Sequence, residues 1–278
     1  MNHDKAVWIC RGRVVTLAQP VVMGILNVTP DSFSDGGLHA GVEAALAHAA
    51  RMLEEGAAIL DVGGESTRPG FTPVGAEEEQ RRVLPVVREL RRAFPDCMIS
   101  IDTMKSRVAE AALAAGADLV NDVAGLADPR MAAVVRDSGA GYVLMHGYAE
   151  HVGAPRSAAP GRLGGWMVEG TGRLLAKALE AGIPAERIVV DPGFGFGKKR
   201  GENAEALLAV PALARRFGRP VLVGASRKHF VNGLHPEADG DAVKASVAFA
   251  LDALRLGARI FRVHDVLESC TALSHALQ

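Results

Sequence analysis

Two hydrophobic periods alternate along the chain. Stretches with apolar residues at helical spacing end in Gly-Ala, and a short apolar run closing on a polar side chain follows each. Gly56-Ala57 leads into AILDVGG and Gly116-Ala117 into DLVNDV; Gly139-Ala140 leads into GYVLMHG and Gly257-Ala258 into RIFRVHDV. A glycine just past a helix suits a left-handed C-cap. The apolar run after it has the length and character of a strand buried on both faces. Repeated helix–Gly–strand units predict parallel βα units rather than hairpins. No Asn-Gly or Asp-Gly turn interrupts the apolar runs, and Asp35-Gly36 falls in a loop.

The same pattern extends to eight strands, at 21–27, 58–62, 98–102, 118–122, 141–146, 187–191, 220–224 and 259–264. Helices fit near 43–55, 78–94, 104–115, 129–138, 165–182, 202–217, 241–256 and 266–276. About 35 residues per unit is the spacing of an α/β (β/α)8 TIM barrel. The expectation is one barrel domain over residues 1–278, with a short N-terminal extension at 1–19. An open doubly wound sheet fits less well, because no G-x-G-x-x-G follows the first strand. Three post-strand connections, 28–42, 63–77 and 147–164, are long and rich in small residues. Long connections in compact domains tend to be functional, and these lie on the face where barrel active sites form.

Composition narrows the class. The 278 residues carry 31 Lys+Arg against 32 Asp+Glu, a formal net charge of −1. Ordinary apolar and charged fractions exclude a disordered chain. The balanced charge argues against a nucleic-acid surface. No run approaches the ~18 apolar residues of a membrane span, and the charged N-terminus does not read as a signal peptide. Cys10, Cys97 and Cys270 are dispersed, which fits reduced thiols in a cytoplasmic protein and no metal cluster.

Polar side chains close almost every strand: Asn27, Asp61, Asp102, Asn121 with Asp122, His146, Asp191, Ser226 to Lys228, and Arg262 with His264. An unused ring of buried polar groups would cost desolvation energy at each position, so the ring predicts a site. Asp102, Asn121 and Asp191 suit a ligand with several N–H donors, such as an amino-pyrimidine. Lys228, Arg262 and His264, with Asn27, suit an anion such as phosphate. Asn27 is a neutral oxygen ligand of the kind Mg²⁺ accepts beside phosphate oxygens and water. GFGFGKK at 193–199 lacks Walker spacing, and Ser226 lacks a G-x-S-x-G elbow. The other histidines show no zinc spacing and read as solvated, as does the acidic helix start at 77–82. Trp8 and Trp166 read as packing residues.

The segments MGILNVTPDSFSDGG (23–37), DVGGESTRPG (61–70), SIDT (100–103), ND (121–122), DPGFGFGK (191–198), GASRK (224–228) and RVHDV (262–266) resemble dihydropteroate synthases, in order and with family-like spacing. The resemblance implies a TIM barrel that joins 6-hydroxymethyl-7,8-dihydropterin pyrophosphate to p-aminobenzoate, with Mg²⁺ as cofactor. It implies a pterin site of Asp102, Asn121, Asp191 and Lys228, with Arg262 over the ring face, and counts Met145 and Gly224 among the substrate-binding residues. Asn27, Arg262 and His264 would hold the pyrophosphate and Mg²⁺. Thr67, Arg68, Pro69 and Ser226 would hold p-aminobenzoate between apolar walls at Phe33 and Phe196. Asp35 would approach the attacking amine, and Arg68 counts with Asp35, Asp102, Lys228, Arg262 and His264 among the implied catalytic groups. The family relationship also implies a homodimer and competitive inhibition by sulfonamides.

The chain departs from the family pattern at Gly147-Tyr148, where a second Met is usual after Met145-His146, at Met104 in DTMKSRV, and at Glu202 before Asn203. None of these removes an implied site residue. The rival readings are a corrinoid-linked pterin methyltransferase and a non-catalytic pterin-binding barrel. The first would not need NVTPDSFSDGG, STRPG or the Lys228 and Arg262–His264 anion groups. The second is disfavoured because every implied ligand position is intact.

Overall fold

In a computed structural model of the chain, residues 7–28, 37–65, 73–152, 162–199 and 201–277 are described. Two antiparallel strands come first, β1 (Val7–Cys10) and β2 (Arg13–Thr16). Eight parallel strands follow: β3 (Val21–Asn27), β4 (Ile59–Gly63), β5 (Met98–Asp102), β6 (Leu119–Asp122), β7 (Gly141–Met145), β8 (Ile188–Asp191), β9 (Leu222–Val223) and β10 (Ile260–Val263). They pair in the order β8-β7-β6-β5-β4-β3-β10-β9. A parallel bridge between Val190 and Val221 joins the two edges and closes the barrel. The expected (β/α)8 TIM barrel is therefore the fold, with strand ends within a residue or two of the predicted ones.

The Gly-Ala signals act as read. Gly56, Gly116, Gly139 and Gly257 all have positive φ, between 73° and 122°. At three of them the following alanine bonds back five residues: Ala57 N–H to Met52, Ala117 to Ala112 and Ala258 to Ala253, each at 2.9 Å. This Schellman closure ends a helix and aims the chain into the barrel. The helices are α1 (Gly37–Glu54), α2 (Ala76–Ala93), α3 (Ser106–Ala115), α4 (Met131–Ser138), a short α5 (Tyr148–His151), α6 (Leu163–Glu180), α7 (Glu202–Leu208), α8 (Val210–Phe217), a short α9 (His229–Leu234), α10 (Ala242–Arg255) and α11 (Val266–His275). The helix expected over 202–217 is two helices, divided at Ala209. Pro211 has no N–H to donate to Leu207, so a continuous ladder is impossible there.

Side chains alternate along each strand. Val22, Leu60, Ile99, Val120, Leu144, Val190, Val223 and Phe261 face outward and pack in one cluster with helix residues. Met23, Ile59, Met98, Leu119, Val143, Val189, Leu222 and Ile260 fill the lower interior as a second cluster. That second cluster also contains Trp8, Cys10, Val15 and Leu17. The segment left as an extension in the sequence is thus a hairpin plugging the N-terminal end of the barrel. Its two-residue turn, Arg11-Gly12, has φ of 50° and 80°, as a primed turn requires. Trp8 is fully buried, and its indole Nε1–H donates to the Arg187 carbonyl at 2.7 Å. Arg11 Nη1 donates to the carbonyls of Leu113 and Ala117, and Arg13 donates to those of Pro95 and Asp96.

A Cβ added at Gly141 would lie 2.3 Å from Cys10 Sγ and 3.1 Å from Leu119 Cβ. Gly141→Ala should lower stability by about 1–3 kcal/mol, the usual effect of overpacking. Combined with Cys10→Ala, it should cost less than the sum of the two single changes, as measured by urea unfolding. Strict additivity would show that the hairpin does not press on this glycine.

Candidate active site

Above the apolar layer the inward positions turn polar. Asp61, Ser100, Asp102, Asn121 and Asp191 are all buried, and Arg262 enters from β10. Its guanidinium is shared between two carboxylates. Nε donates to Asp61 Oδ2 and Nη2 to Asp102 Oδ2, both at 2.5 Å. Asn121 Nδ2 donates to the same Asp61 oxygen at 3.2 Å. Burial works against the charge on Arg262, but Asp61 and then Asp102 outweigh it and hold its pKa above the ordinary value. For Asp102, burial raises the carboxyl, Arg262 draws it back and Asp61 raises it again, leaving it at about 7.

Across the mouth, Asp191 Oδ1 accepts from Gly193 N–H at 2.7 Å. Burial raises its pKa despite that bond and nearby Lys228. Lys228 Nζ donates to the Phe194 carbonyl at 2.6 Å and sits 4.5 Å from the Phe196 ring centroid. Burial lowers its pKa to about 8, against the pull of Asp191. Met145, Phe196 and Val123 form a small apolar cluster with Tyr148 at its edge. Tyr148 lies in the connection after β7, where the sequence departs from the family pattern, and so that segment borders this cluster.

Two glycines line the mouth. A Cβ at Gly224 would sit 3.8 Å from Arg262 Cβ and Cδ and 3.9 Å from Asp191 Oδ2. One at Gly63 would sit 3.7 Å from Asp102 Oδ2 and 3.8 Å from Asn27 Oδ1. Ser226 Oγ accepts from the His264 N–H at 3.1 Å and shares a second bond with His264 Nδ1, also at 3.1 Å. Asn27, Asp102, Asn121, Met145, Asp191, Phe196, Gly224, Ser226, Lys228, Arg262 and His264 are therefore brought to one end of the barrel. Phe33, Asp35, Thr67, Arg68 and Pro69 lie outside the described residues.

Several strand-end residues read as chemical are structural. Asp122 faces outward, accepting from Tyr142 Oη at 2.6 Å and from the N–H groups of Ala124 and Leu126. His146 is buried with its ring 4.4 Å from Trp166. Burial, then Lys198 and Arg173, lowers its pKa to about 3. His235 is not solvated: it is 8% exposed and bonded through Nδ1 to Glu237. The helix start at 77–82 is not wholly solvated either. Glu79 is fully buried and takes a 2.5 Å bond from Lys105, which also binds Glu65. Glu65 Oε1 in turn accepts from Val74 N–H at 2.8 Å, tying together the flanks of the STRPG segment. Helical periodicity cannot show a partner that arrives from another unit. Asp61 stood in the strand-end ring without a role, yet it is the hub of the arginine contacts.

A family described as "Pterin binding enzyme" matches residues 23–264. A curated dihydropteroate synthase of Streptococcus pyogenes serotype M18 is 44% identical over 262 residues, 92% of this chain and 94% of that one. The chain belongs to the dihydropteroate synthase family. A solved dihydropteroate synthase of Xanthomonas albilineans with 4-aminobenzoic acid superposes with a TM-score of 0.88 at 44% identity, covering 97% of this chain and 96% of the other. The same organism's enzyme in complex with 7,8-dihydropteroate gives 0.84 at 41%, covering 97% of each chain. These relatives share the barrel with this chain.

The raised carboxyl of Asp102 has a signed consequence. A carboxyl whose folded pKa exceeds its unfolded value contributes stability at low pH that is lost as pH rises through the folded value, here about 7. Asp102→Asn should therefore melt higher than the unsubstituted chain at pH 8, with the difference shrinking below about pH 7 and closing only towards pH 4. Thermal denaturation across this range checks it; a gap independent of pH would contradict it.

Proposed function

We propose that the chain condenses 6-hydroxymethyl-7,8-dihydropterin pyrophosphate with p-aminobenzoate, giving 7,8-dihydropteroate and pyrophosphate. The observation that carries this reading is the barrel mouth itself, where buried acceptors Asp102, Asn121 and Asp191 meet the half-buried cations Lys228 and Arg262. The acceptors suit the N–H groups of the pterin edge, and Lys228 suits a ring acceptor. A planar guanidinium can stack on the ring as an ammonium cannot, which favours Arg at 262.

The amine nitrogen of p-aminobenzoate attacks the exocyclic methylene carbon. A C–N bond forms, the C–O bond to pyrophosphate breaks, and the amine releases one proton. No covalent enzyme intermediate is needed. Carboxylates at 102 and 191 favour positive charge carried by the electron-rich ring as the C–O bond stretches, and Arg262 and His264 stabilise the leaving anion. Asp35 is assigned to the amine, and Thr67, Arg68, Pro69 and Ser226 to p-aminobenzoate, with Phe33 and Phe196 as walls. Pterin pyrophosphate binds first in this scheme.

Among the described residues no cluster of His, Cys, Asp and Glu could hold a metal. Asn27 Oδ1 and Asp102 Oδ2 nevertheless converge over Gly63, in space that a Cβ would narrow. An amide oxygen at the rim fits Mg²⁺ carried largely by pyrophosphate oxygens and water. Such a cation would neutralise charge on the departing pyrophosphate. Among the described residues no helix is long and apolar enough to cross a membrane. We place the protein in the cytoplasm as a homodimer without nucleic-acid or membrane partners, an assembly that light scattering tests.

Purified protein given the pterin pyrophosphate, p-aminobenzoate and Mg²⁺ should yield dihydropteroate, followed by mass spectrometry, and an equal amount of released pyrophosphate. Neither product, despite pterin binding, would reduce the chain to a binder. A sulfonamide shares the shape and amine of p-aminobenzoate, so its inhibition should be competitive against that substrate. An uncompetitive pattern would exclude a shared site.

A further inference from the structure

Asp61 stands at the centre of the mouth yet has no part in the reaction scheme above. It lies on β4, fully buried. Its Oδ2 accepts from both Arg262 Nε and Asn121 Nδ2. Its Oδ1 is buried and accepts from nothing among the described residues. Arg262 meanwhile donates Nη2 to Asp102, the carboxylate assigned above to the pterin edge. A bound ring has to compete with that guanidinium or displace it.

The geometry decides how displacement can occur. A guanidinium donates from several N–H groups in one fixed plane. Releasing both carboxylates at once would leave a half-buried cation and two buried anions unpaired, which is unfavourable. Releasing only Nη2, with Nε held on Asp61, avoids this. The arginine stem is not crowded: even a Cβ added at Gly224 would only touch Arg262 Cβ and Cδ at 3.8 Å and Asp191 Oδ2 at 3.9 Å.

We infer that Asp61 is the pivot for Arg262, holding Nε in place while Nη2 exchanges Asp102 for the bound pterin pyrophosphate. Asp61 is a positioning residue that acts through Arg262. The inference rests on the pterin reading above. Without charge at position 61, Asp102 would be the nearest remaining carboxylate bonded to Arg262, and the guanidinium would compete harder for the oxygen that the ring needs.

Asp61→Asn is nearly isosteric and keeps an acceptor for Nε and Asn121. It should raise the KM for the pterin pyrophosphate about tenfold, the scale of one charge-assisted hydrogen bond. The KM for p-aminobenzoate should stay nearly unmoved, a split that general barrel damage would not produce. The second measurement needs no change at Asp61. In ¹⁵N-labelled protein the Arg262 Nε–H resonance, assigned by its loss in Arg262→Lys, should persist and stay protected from exchange when pterin pyrophosphate and Mg²⁺ are added. Loss of that resonance on binding, or an unchanged pterin KM in D61N, overturns the inference alone. An unsubstituted chain that does not bind pterin pyrophosphate overturns the functional reading and the inference with it.

Discussion

A guanidinium placed between two carboxylates inside a closed barrel is the constraint on which the upper half of this molecule depends. Separately, none of the three could be buried without a large desolvation penalty. Together, Arg262, Asp61 and Asp102 satisfy one another across β10, β4 and β5. Those strands must then keep a register in which the three side chains meet: Ile25 opposite Asp61, Asp61 opposite Ser100, and Arg262 opposite Met23. Slipping one strand by a single residue would turn its charge into the apolar outer layer. Buried pairing of this kind is weak as a source of stability but strict as a condition on geometry.

The lower half supplies the rigidity that the upper half lacks. Its strand side chains and the hairpin residues form one dry cluster, and the hairpin seals the end of the barrel where a solvent channel would otherwise start. Close packing there tolerates little change of volume, which is why Gly141 must lack a side chain where Cys10 approaches. The rim adds its own ties. Lys105 holds Glu65 and Glu79 together, joining the units of β4, α2 and β5 at the root of the STRPG segment.

The barrel was legible in the sequence because its local signals agree: Gly-Ala caps, apolar strands and polar strand ends all repeat in step. The N-terminal hairpin was not, because its strands are four residues each and its turn is Arg-Gly rather than Asn-Gly. The residue types of the mouth were legible too, since a ring of Asp, Asn, Lys and Arg at strand ends has few inexpensive uses. What the sequence could not show was pairing at long separation. Arg262 and Asp61 stand 201 residues apart, and Glu79 finds Lys105 only through the packing of neighbouring units. Nor could it separate inward from outward polar ends: Asp122 and His146 occupy strand ends as Asp102 and Asp191 do, yet serve the outer layer.

The mouth is left deliberately unbalanced in charge. Asp61, Asp102 and Asp191 face Arg262 and Lys228, so three carboxylates meet two cations, and full ionisation leaves one excess negative charge. Burial responds by raising Asp102 and Asp191 and lowering Lys228. A fully neutral, fully paired set would be more stable and would offer a ligand nothing. Here the Asp102 oxygen shared with Arg262 is the acceptor offered to a donor-rich, electron-rich ring. Arg262, already held from one side, presents its other edge to an anion. The same imbalance that burdens the empty barrel is thus the source of its selectivity for a molecule carrying N–H donors at one end and a pyrophosphate at the other.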